Sequence, residues 1–286
     1  MVKKIAALND LSGFGKCSLS AAIPIISALG VQACPLPTAV LSNQTCYSSF
    51  YMKDLTEEME YITNKWKDLG FSFDGIYTGY IASEKQAENI LHFLKDFKKE
   101  NTIFLADPVM GDEGIVYPGF TESLCEKIKK IASEAEIITP NITELGILSK
   151  GDGSYVYNMA KDERYMENIK KMAESILCGN TKTVIVTGIE YKGAFDRENM
   201  FYNAIVTKDR FQTVKVPVLK GSFSGTGDIL ASIICASAVR GIDIKSAVET
   251  AADFIYCAVK DTLKDYTNVN DGVNFEKFLH MLTNIK

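Results

Sequence analysis

The stretch Gly221-Ser-Phe-Ser-Gly-Thr-Gly-Asp228 is followed at once by the apolar run Ile229-Leu-Ala-Ser-Ile-Ile-Cys235. Beyond Asp228 the apolar positions recur with helical spacing, and Gly241 is a suitable residue to end the helix. A glycine-rich turn is therefore predicted to open a buried helix. Free backbone N–H groups and the positive end of the helix dipole make such a turn a binding site for an anion.

The residues of this turn are suited to phosphoryl transfer. Gly225 and Gly227, with Thr226 between them, let the backbone approach a phosphate closely. Asp228 can accept a proton from a substrate hydroxyl, while the neighbouring amides stabilise the charge that develops on the transferred group. The alternative is that Asp228 only caps the helix, because Asp is a favoured N-cap residue.

Two other phosphate-binding patterns fit the sequence poorly. A dinucleotide fingerprint in the same turn needs a third glycine where Leu230 stands, and a strand directly before the turn. A Walker loop ending at Gly15-Lys16 needs a glycine at Asp10. Neither pattern is predicted.

Outward from the turn, short apolar runs alternate with longer segments of helical period. Several runs are continuously apolar, as in the strands of a parallel sheet that is covered on both faces. Such repetition of strand and helix predicts a three-layer α/β/α fold. The predicted strands are residues 5–8, 31–36, 76–78, 103–106, 137–139 and 184–187, and the predicted helices are residues 57–69, 83–99, 122–134, 163–177 and 244–263.

One segment departs from this alternation. Residues 194–219 are predicted to form a strand meander, with strands at 200–207 and 211–218. An antiparallel patch on a mostly parallel sheet accommodates it. The sequence shows no internal repeat and no linker, so we expect a single domain over residues 1–286.

Composition and charge exclude several classes of protein. The chain is 47% hydrophobic and 23% charged with a formal net charge of −5, and it has no long basic run, which argues against nucleic acid as a partner. The longest nearly apolar run, residues 229–239, is too short to span a bilayer, and the first ten residues lack a signal-peptide core. The seven scattered cysteines without a CxxC predict reduced thiols. We therefore expect a cytoplasmic protein with no membrane partner.

The turn at residues 221–228 resembles the C-terminal signature of the ribokinase superfamily. Two further segments, Ala106-Asp107-Pro-Val-Met-Gly-Asp112 and Thr139-Pro-Asn-Ile-Thr-Glu144, resemble motifs of the pyridoxal kinase branch. Asn43-Gln-Thr-Cys-Tyr47 and Thr78-Gly-Tyr80 resemble its substrate-side segments. This resemblance, in the same order over nearly the whole chain, implies a ribokinase-like three-layer sandwich and ATP-dependent phosphorylation of the 5′-hydroxymethyl group of pyridoxal, pyridoxine or pyridoxamine.

The resemblance also implies roles for individual residues. In the family the aspartate of this turn is the catalytic base and the turn amides form the anion hole, which here assigns Asp228, Gly225, Thr226 and Gly227. Asp107 and Glu144 are implied as ligands of the Mg²⁺ that accompanies ATP, and Mg²⁺ suits a few carboxylates together with phosphates and waters. The remaining nucleotide-side residues that the resemblance implies are Thr139, Asn141, Thr187, Val216, Pro217, Val218 and Leu219.

Each nucleotide-side assignment has a plainer alternative. The carboxylates of Asp107 and Glu144 can be solvated or helix-capping groups, although carboxylates at strand ends are expected at the ligand crevice of a parallel sheet. Residues 216–219 can flank an adenine or simply form the last strand of the meander. Asp112 precedes Glu113-Gly114, a pair that suggests a turn.

On the acceptor side, the resemblance implies that Asp10, Ser12, Thr45, Tyr47 and Tyr80 surround a flat heteroaromatic ring. Related sequences often carry Ser at the position of Asp10, and a carboxylate there predicts good use of pyridoxamine, which adds an ammonium group. Alternatively Asp10 lies in a turn and accepts the amides of Ser12 or Gly13. The tyrosines can equally be packing residues.

Other functions remain open on the sequence. The branch that phosphorylates the hydroxymethylpyrimidine of thiamine synthesis typically carries Cys where this chain has Asp228. A protein that binds a vitamin or nucleotide without turnover is the non-enzymatic alternative. The resemblance further implies ATP and Mg²⁺ as cofactors, a monovalent cation as a third, and a homodimer.

Overall fold

The computed structural model describes residues 1–159, 161, 163–265 and 268–283. The chain folds into two compact units, one formed by Met1–Phe104 with Leu219–Lys286 and the other by Leu105–Val218. Each unit contains strands and helices of its own. The expectation of a single domain over residues 1–286 stays a prediction.

The first part of the first unit is built around a buried central strand. β1 pairs in parallel with β2 on one side and with β4 on the other, while β3 pairs antiparallel with β2. The side chains of residues 5–8 in β1 are fully buried, which explains their continuous apolar run. The elements are β1 (Lys4–Ser12), α1 (Ser18–Ala28), β2 (Gln32–Leu41), β3 (Met52–Asp54), α2 (Thr56–Asp68), β4 (Gly75–Thr78) and α3 (Glu84–Phe97).

The second unit has the predicted antiparallel patch. Its strand β8 pairs in parallel with β5 on one side and with β9 on the other. The next two pairs, β9 with β10 and β10 with β11, are antiparallel. In sequence, β5 spans the boundary between the two units. The elements are β5 (Ile103–Ala106), β6 (Gly111–Asp112), β7 (Ile115–Val116), α4 (Glu122–Glu134), β8 (Ile137–Ile138), α5 (Ile142–Lys150), α6 (Ser154–Tyr157), α7 (Tyr165–Ser175), β9 (Thr183–Tyr191), β10 (Met200–Thr207) and β11 (Phe211–Pro217).

The chain then returns to the first unit with α8 (Thr226–Val239) and α9 (Ile244–Thr262), followed by 3-10 turns at Val269–Asp271 and Glu276–Leu282. Helix α8 is apolar on nearly all sides because it packs against α1, α9 and β4. Gly241 follows its end with φ +80°, as expected for a glycine that terminates a helix. Burial of α8 fixes the glycine-rich turn at its start. No helix in the described part of the chain has the length and apolar character needed to cross a membrane.

Three strands, β1, β2 and β9, extend several residues beyond their predicted ends, and two of these corrections concern site residues. β1 continues to Ser12 because its pairing with β2 resumes after an irregularity between Asn9 and Leu11, so Asp10 lies in the strand and not in a following loop. β9 continues to Tyr191, so Thr187 does not close it. Helices α1 and α5 were not predicted, since Pro24 interrupts the pattern of the first and the second is short.

Candidate active site

Asp228 stands at the start of α8 without being its cap. Gly225 is the N-cap residue, and Asp228 is the third residue of the helix with no side-chain capping bond. The alternative that Asp228 only caps the helix is therefore wrong. Its carboxylate is available for other contacts.

Three hydrogen-bond donors, each from a different element, contact that carboxylate. Asn9 Nδ2 and the Tyr77 hydroxyl donate to Asp228 Oδ1 at 3.0 and 3.2 Å, and the backbone N–H of Ser18 also donates to the carboxylate. Burial, and then the charge of Asp10, raise the pKa of Asp228 to about 6, against the effect of the three donors. A carboxylate with this pKa is ionised at neutral pH and is a stronger base than an ordinary aspartate.

Gly225 allows the turn to lie directly on the backbone before α1. Its φ is +84°, and a Cβ atom at this position would lie 2.0 Å from the carbonyl oxygen of Lys16. The Thr226 hydroxyl donates to the Phe223 carbonyl at 3.2 Å and closes the turn, while Gly227 is exposed. The first amides of α8 thus belong to a tightly packed turn and have no acceptor within the helix, as an anion hole requires.

Asn9 is a site residue that the sequence analysis missed. It is fully buried, and its Oδ1 accepts the amides of Tyr80 and Asp10, both at 3.0 Å, while its Nδ2 holds Asp228. A Cβ at Gly79 would meet the Asn9 side chain at 2.3 Å, so this glycine admits the asparagine. A buried amide inside a strand was the signal that could have pointed to Asn9, since buried polar groups need partners.

Asp10 is buried in β1 and bonded to two serine hydroxyls. Ser18 Oγ donates to its Oδ1 at 2.6 Å and Ser12 Oγ donates to its Oδ2 at 3.1 Å. The alternative that Asp10 lies in a turn and accepts the amides of Ser12 or Gly13 is wrong, because Asp10 lies in a strand and accepts side-chain hydroxyls. Burial raises the pKa of Asp10, although the two hydroxyls oppose that rise.

The segment with Thr45 and Tyr47 is anchored to the end of the chain. Gln44 donates to Ser224 Oγ at 3.2 Å and to the Asn270 carbonyl at 3.0 Å, and the Tyr47 hydroxyl bonds Asp271. Thr45 is exposed in the turn between them. Burial raises the pKa of Tyr80, the remaining predicted acceptor-side residue, and the Asp10 charge adds to this.

The second unit gathers the predicted nucleotide-side carboxylates. The Thr139 hydroxyl donates to Asp107 Oδ1 at 3.1 Å. Asn141 is the N-cap of α5 and forms a capping box with Glu144, whose two oxygens accept the amides of Asn141 and Met110 at 2.9 and 3.1 Å. Glu144 is thus a helix-capping residue, one of the two plain roles considered for it, and its carboxylate also lies near Asp107.

This arrangement fits a hard cation. Burial raises the pKa of Glu144 well above its usual range, and the nearby Asp107 charge raises it further. No group of three His, Cys, Asp or Glu side chains suited to a metal occurs within the described residues. Two carboxylates with a threonine hydroxyl suit Mg²⁺, which takes its other ligands from water and phosphate.

Thr187 joins this cluster through the backbone. Its N–H donates to the Pro140 carbonyl at 2.9 Å, and it forms a parallel bridge with Asn141. Thr187 and Gly188 of β9 lie opposite the single residue Asn203 of β10. This pairing of two residues with one is a β-bulge, a feature that redirects strands and is common near functional sites. The predicted adenine-side segment is only half-buried, and β11 contains its residues Val216 and Pro217 but not Val218 and Leu219.

Comparisons with known proteins show which family the chain resembles. A model of the family described as phosphomethylpyrimidine kinase matches residues 15–273. The pyridoxal kinase PdxY of Actinobacillus pleuropneumoniae is 30% identical over 288 residues, which cover 95% of this chain and 91% of that protein. A Bacteroides thetaiotaomicron protein named as a candidate phosphomethylpyrimidine kinase, with a crystal structure containing pyridoxal, is 35% identical with a TM-score of 0.89 over 100% of this chain and 97% of that one.

A second solved structure supports the same grouping. The pyridoxal kinase of Lactobacillus plantarum is 25% identical, with a TM-score of 0.86 over 99% of this chain and 97% of that chain. The predicted ribokinase-like α/β fold, with its mostly parallel sheet and antiparallel patch, is confirmed. The chain belongs to the phosphomethylpyrimidine kinase family, in the pyridoxal kinase branch of the ribokinase-like enzymes.

Proposed function

We propose that this chain is a kinase that transfers the γ-phosphoryl group of ATP to the 5′-hydroxymethyl group of the B6 vitamers pyridoxal, pyridoxine and pyridoxamine. One observation carries the proposal: a carboxylate with a pKa of about 6 stands beside a glycine turn at a helix start, in a chain whose relatives are named pyridoxal kinases. The base and the anion site needed for phosphoryl transfer thus lie next to each other.

Asp228 is the proposed general base. It accepts the proton of the acceptor hydroxyl as that oxygen bonds to the γ-phosphorus and the bond from phosphorus to ADP breaks. Asn9 and Tyr77 both donate to the same carboxylate oxygen, so they hold the base in one orientation. The amides of Gly225, Thr226 and Gly227 stabilise the charge on the transferred group.

Asp107 and Glu144 are the proposed Mg²⁺ ligands, and Thr139, Asn141, Thr187 and residues 216–219 are the proposed nucleotide side. The buried carboxylate of Glu144 near that of Asp107, and the Thr139 hydroxyl bonded to Asp107, support this assignment. When bound, Mg²⁺ neutralises the charge of the ATP phosphates. On the acceptor side we retain Asp10, Ser12, Thr45, Tyr47 and Tyr80.

Four further properties are proposed, the first two on the resemblance to the branch and the last two on the length and composition of the sequence. They are a monovalent cation as an additional cofactor, a homodimer, a single kinase domain and a cytoplasmic location. The seven free cysteines are in keeping with a reducing compartment. Size-exclusion chromatography with light scattering and activity assays in K⁺ and Na⁺ test the first two.

A coupled assay of ADP release tests the function. We expect the B6 vitamers to give higher kcat/KM values than hydroxymethylpyrimidine or sugars. Product identity is checked by mass spectrometry of the phosphorylated vitamer. ADP release at the same rate without any acceptor, or tight vitamer binding without transfer, would contradict the proposal, and the second result would favour the non-enzymatic alternative.

Hydroxymethylpyrimidine kinase is the second candidate, because the matching family is described as phosphomethylpyrimidine kinase, a related activity on a pyrimidine. The aspartate at position 228 argues against it, since the branch with that activity typically has Cys there. A kcat/KM for hydroxymethylpyrimidine above those of all three vitamers would favour this candidate.

Replacing Glu144 with Gln is expected to raise the Mg²⁺ concentration needed for half-maximal rate and the KM for Mg·ATP, with little change in the KM for the vitamer. The reason is that a neutral amide is a weaker Mg²⁺ ligand than a carboxylate. Steady-state kinetics over a range of Mg²⁺ concentrations measures these constants.

The control for this variant is Thr121→Ala, because Thr121 caps α4 in the same unit through the Leu124 amide and has no proposed contact with metal. Both variants lose part of a helix cap, which costs about 1 kcal/mol. Only Glu144→Gln should change the Mg²⁺ dependence. If Glu144→Gln and Thr121→Ala showed the same Mg²⁺ dependence, Glu144 would be a capping residue and not a metal ligand.

A further inference from the structure

Ser18 connects the buried carboxylate of Asp10 with the half-buried carboxylate of Asp228. Its backbone N–H donates to Asp228, and its hydroxyl donates to Asp10 Oδ1 at 2.6 Å. Asp10 and Ser18 are both less than a tenth exposed. The two carboxylates therefore act on each other through one residue as well as through space.

The backbone of Ser18 is held in a conformation that a serine rarely adopts. Its φ is +50°, and Glu113 is the other non-glycine residue with positive φ in the described part of the chain. This left-handed conformation is unfavourable for a residue with a side chain. The hydrogen bond to Asp10 offsets that cost and keeps the Ser18 amide directed at Asp228.

The charge of Asp10 acts on the base as well. Both carboxylates lie in buried surroundings, where like charges repel strongly, and the Asp10 charge contributes to the raised pKa of Asp228. The other titratable groups around the pair are the phenols of Tyr77 and Tyr80 and the Cys17 thiol. Burial raises the pKa of Cys17 to about 12, so this thiol stays neutral in an assay near neutral pH.

We propose that Asp10 is a positioning residue for the base: through Ser18 it fixes the amide that holds the Asp228 carboxylate, and its charge opposes ionisation of that carboxylate. This inference rests on the proposed function, in which Asp228 is the base. This role is separate from a contact of Asp10 with the acceptor, because it acts through the serine hydroxyls that the two Asp10 oxygens accept.

The test replaces Asp10 with Asn, which keeps its size and polarity and removes its charge. Titration of the aspartate side-chain ¹³C signals by NMR gives the pKa of Asp228 directly, with its signal assigned by its absence in Asp228→Asn. We expect the pKa to fall from about 6 in the parent by at least about half a unit. Asp68→Asn, the same charge change at an exposed residue of α2, should leave it unchanged.

Kinetics with the B6 vitamers form the second part of the test. The fall of kcat on the acid side should move to lower pH in Asp10→Asn by the same amount, while the KM for ATP is unchanged. Asp10→Ser, which places there the residue that related sequences often carry, also removes the charge and serves if the Asn variant does not fold. Its shift should have the same direction but be smaller, because it also loses the bond to Ser18, whose amide lowers the pKa of Asp228.

Two results would overturn the inference. One is an Asp228 pKa in both Asp10 variants equal to that of the parent. The other is a change in the ratio of kcat/KM for pyridoxamine to that for pyridoxal without any shift of the acid limb, which would assign Asp10 to the acceptor. Since the NMR titration needs no acceptor, a pKa shift in a protein that phosphorylates no vitamer would contradict only the proposed function.

Discussion

Replacing Asp228 with Asn is expected to lower kcat by about 10²–10⁴-fold or more, while nucleotide binding stays nearly unchanged. Asn keeps the shape of the side chain and can still accept a hydrogen bond from Asn9 or Tyr77, but it cannot take the proton of the acceptor hydroxyl. Single-turnover kinetics measures the chemical step, and calorimetry with ADP measures nucleotide binding.

The pH dependence of the parent protein provides an independent check on the same residue. The pKa of Asp228 is raised to about 6, so the base is protonated below this pH and kcat should fall as the pH decreases through it. Asn at position 228 should remove this acid limb from any residual activity. A variant that retains kcat within a few-fold of the parent would exclude Asp228 as the base.

Replacing Gly225 with Ala is expected to destabilise the protein by roughly 3 kcal/mol or more and to reduce kcat in whatever folded protein remains. The added Cβ would lie 2.0 Å from the Lys16 carbonyl oxygen. The backbone of residue 225 fixes the position of the Cβ, and the oxygen is itself a backbone atom, so neither can rotate away. The start of α8 must therefore move, and the turn amides move with it. Chemical denaturation measures the free energy of unfolding.

Gly241→Ala is the matched control for that variant. Gly241 has a φ of +80°, close to the +84° of Gly225, but a Cβ there would meet nothing within 4 Å. It should therefore show only the cost of the left-handed conformation, about 1–2 kcal/mol, with kcat unchanged. Equal losses in the two variants would show that close contact with Lys16 does not limit residue 225.

Local pattern predicted most of the elements of the fold. The boundaries of β5, α4 and β10 were predicted to the residue, because continuous apolar runs and helical spacing are properties of short windows of sequence. The predicted ends of β1, β2 and β9 were wrong, and for β1 and β9 the reason is visible. An irregular pairing with β2 continues β1, and a bulge opposite β10 continues β9, so both ends depend on a neighbouring strand.

The ordered motifs by themselves determined the family, the glycine-rich turn and the identity of the proposed base, since these depend on residue type and spacing. Only the tertiary structure decided what surrounds that base. Asn9 and Tyr77 lie 219 and 151 residues from Asp228 in sequence, and neither stands in a motif that predicts contact with it. The bond between Ser18 and Asp10 likewise required the left-handed backbone at the start of α1. Such contacts form because packing α8 against α1 and β4 buries polar groups that must then find partners in one another.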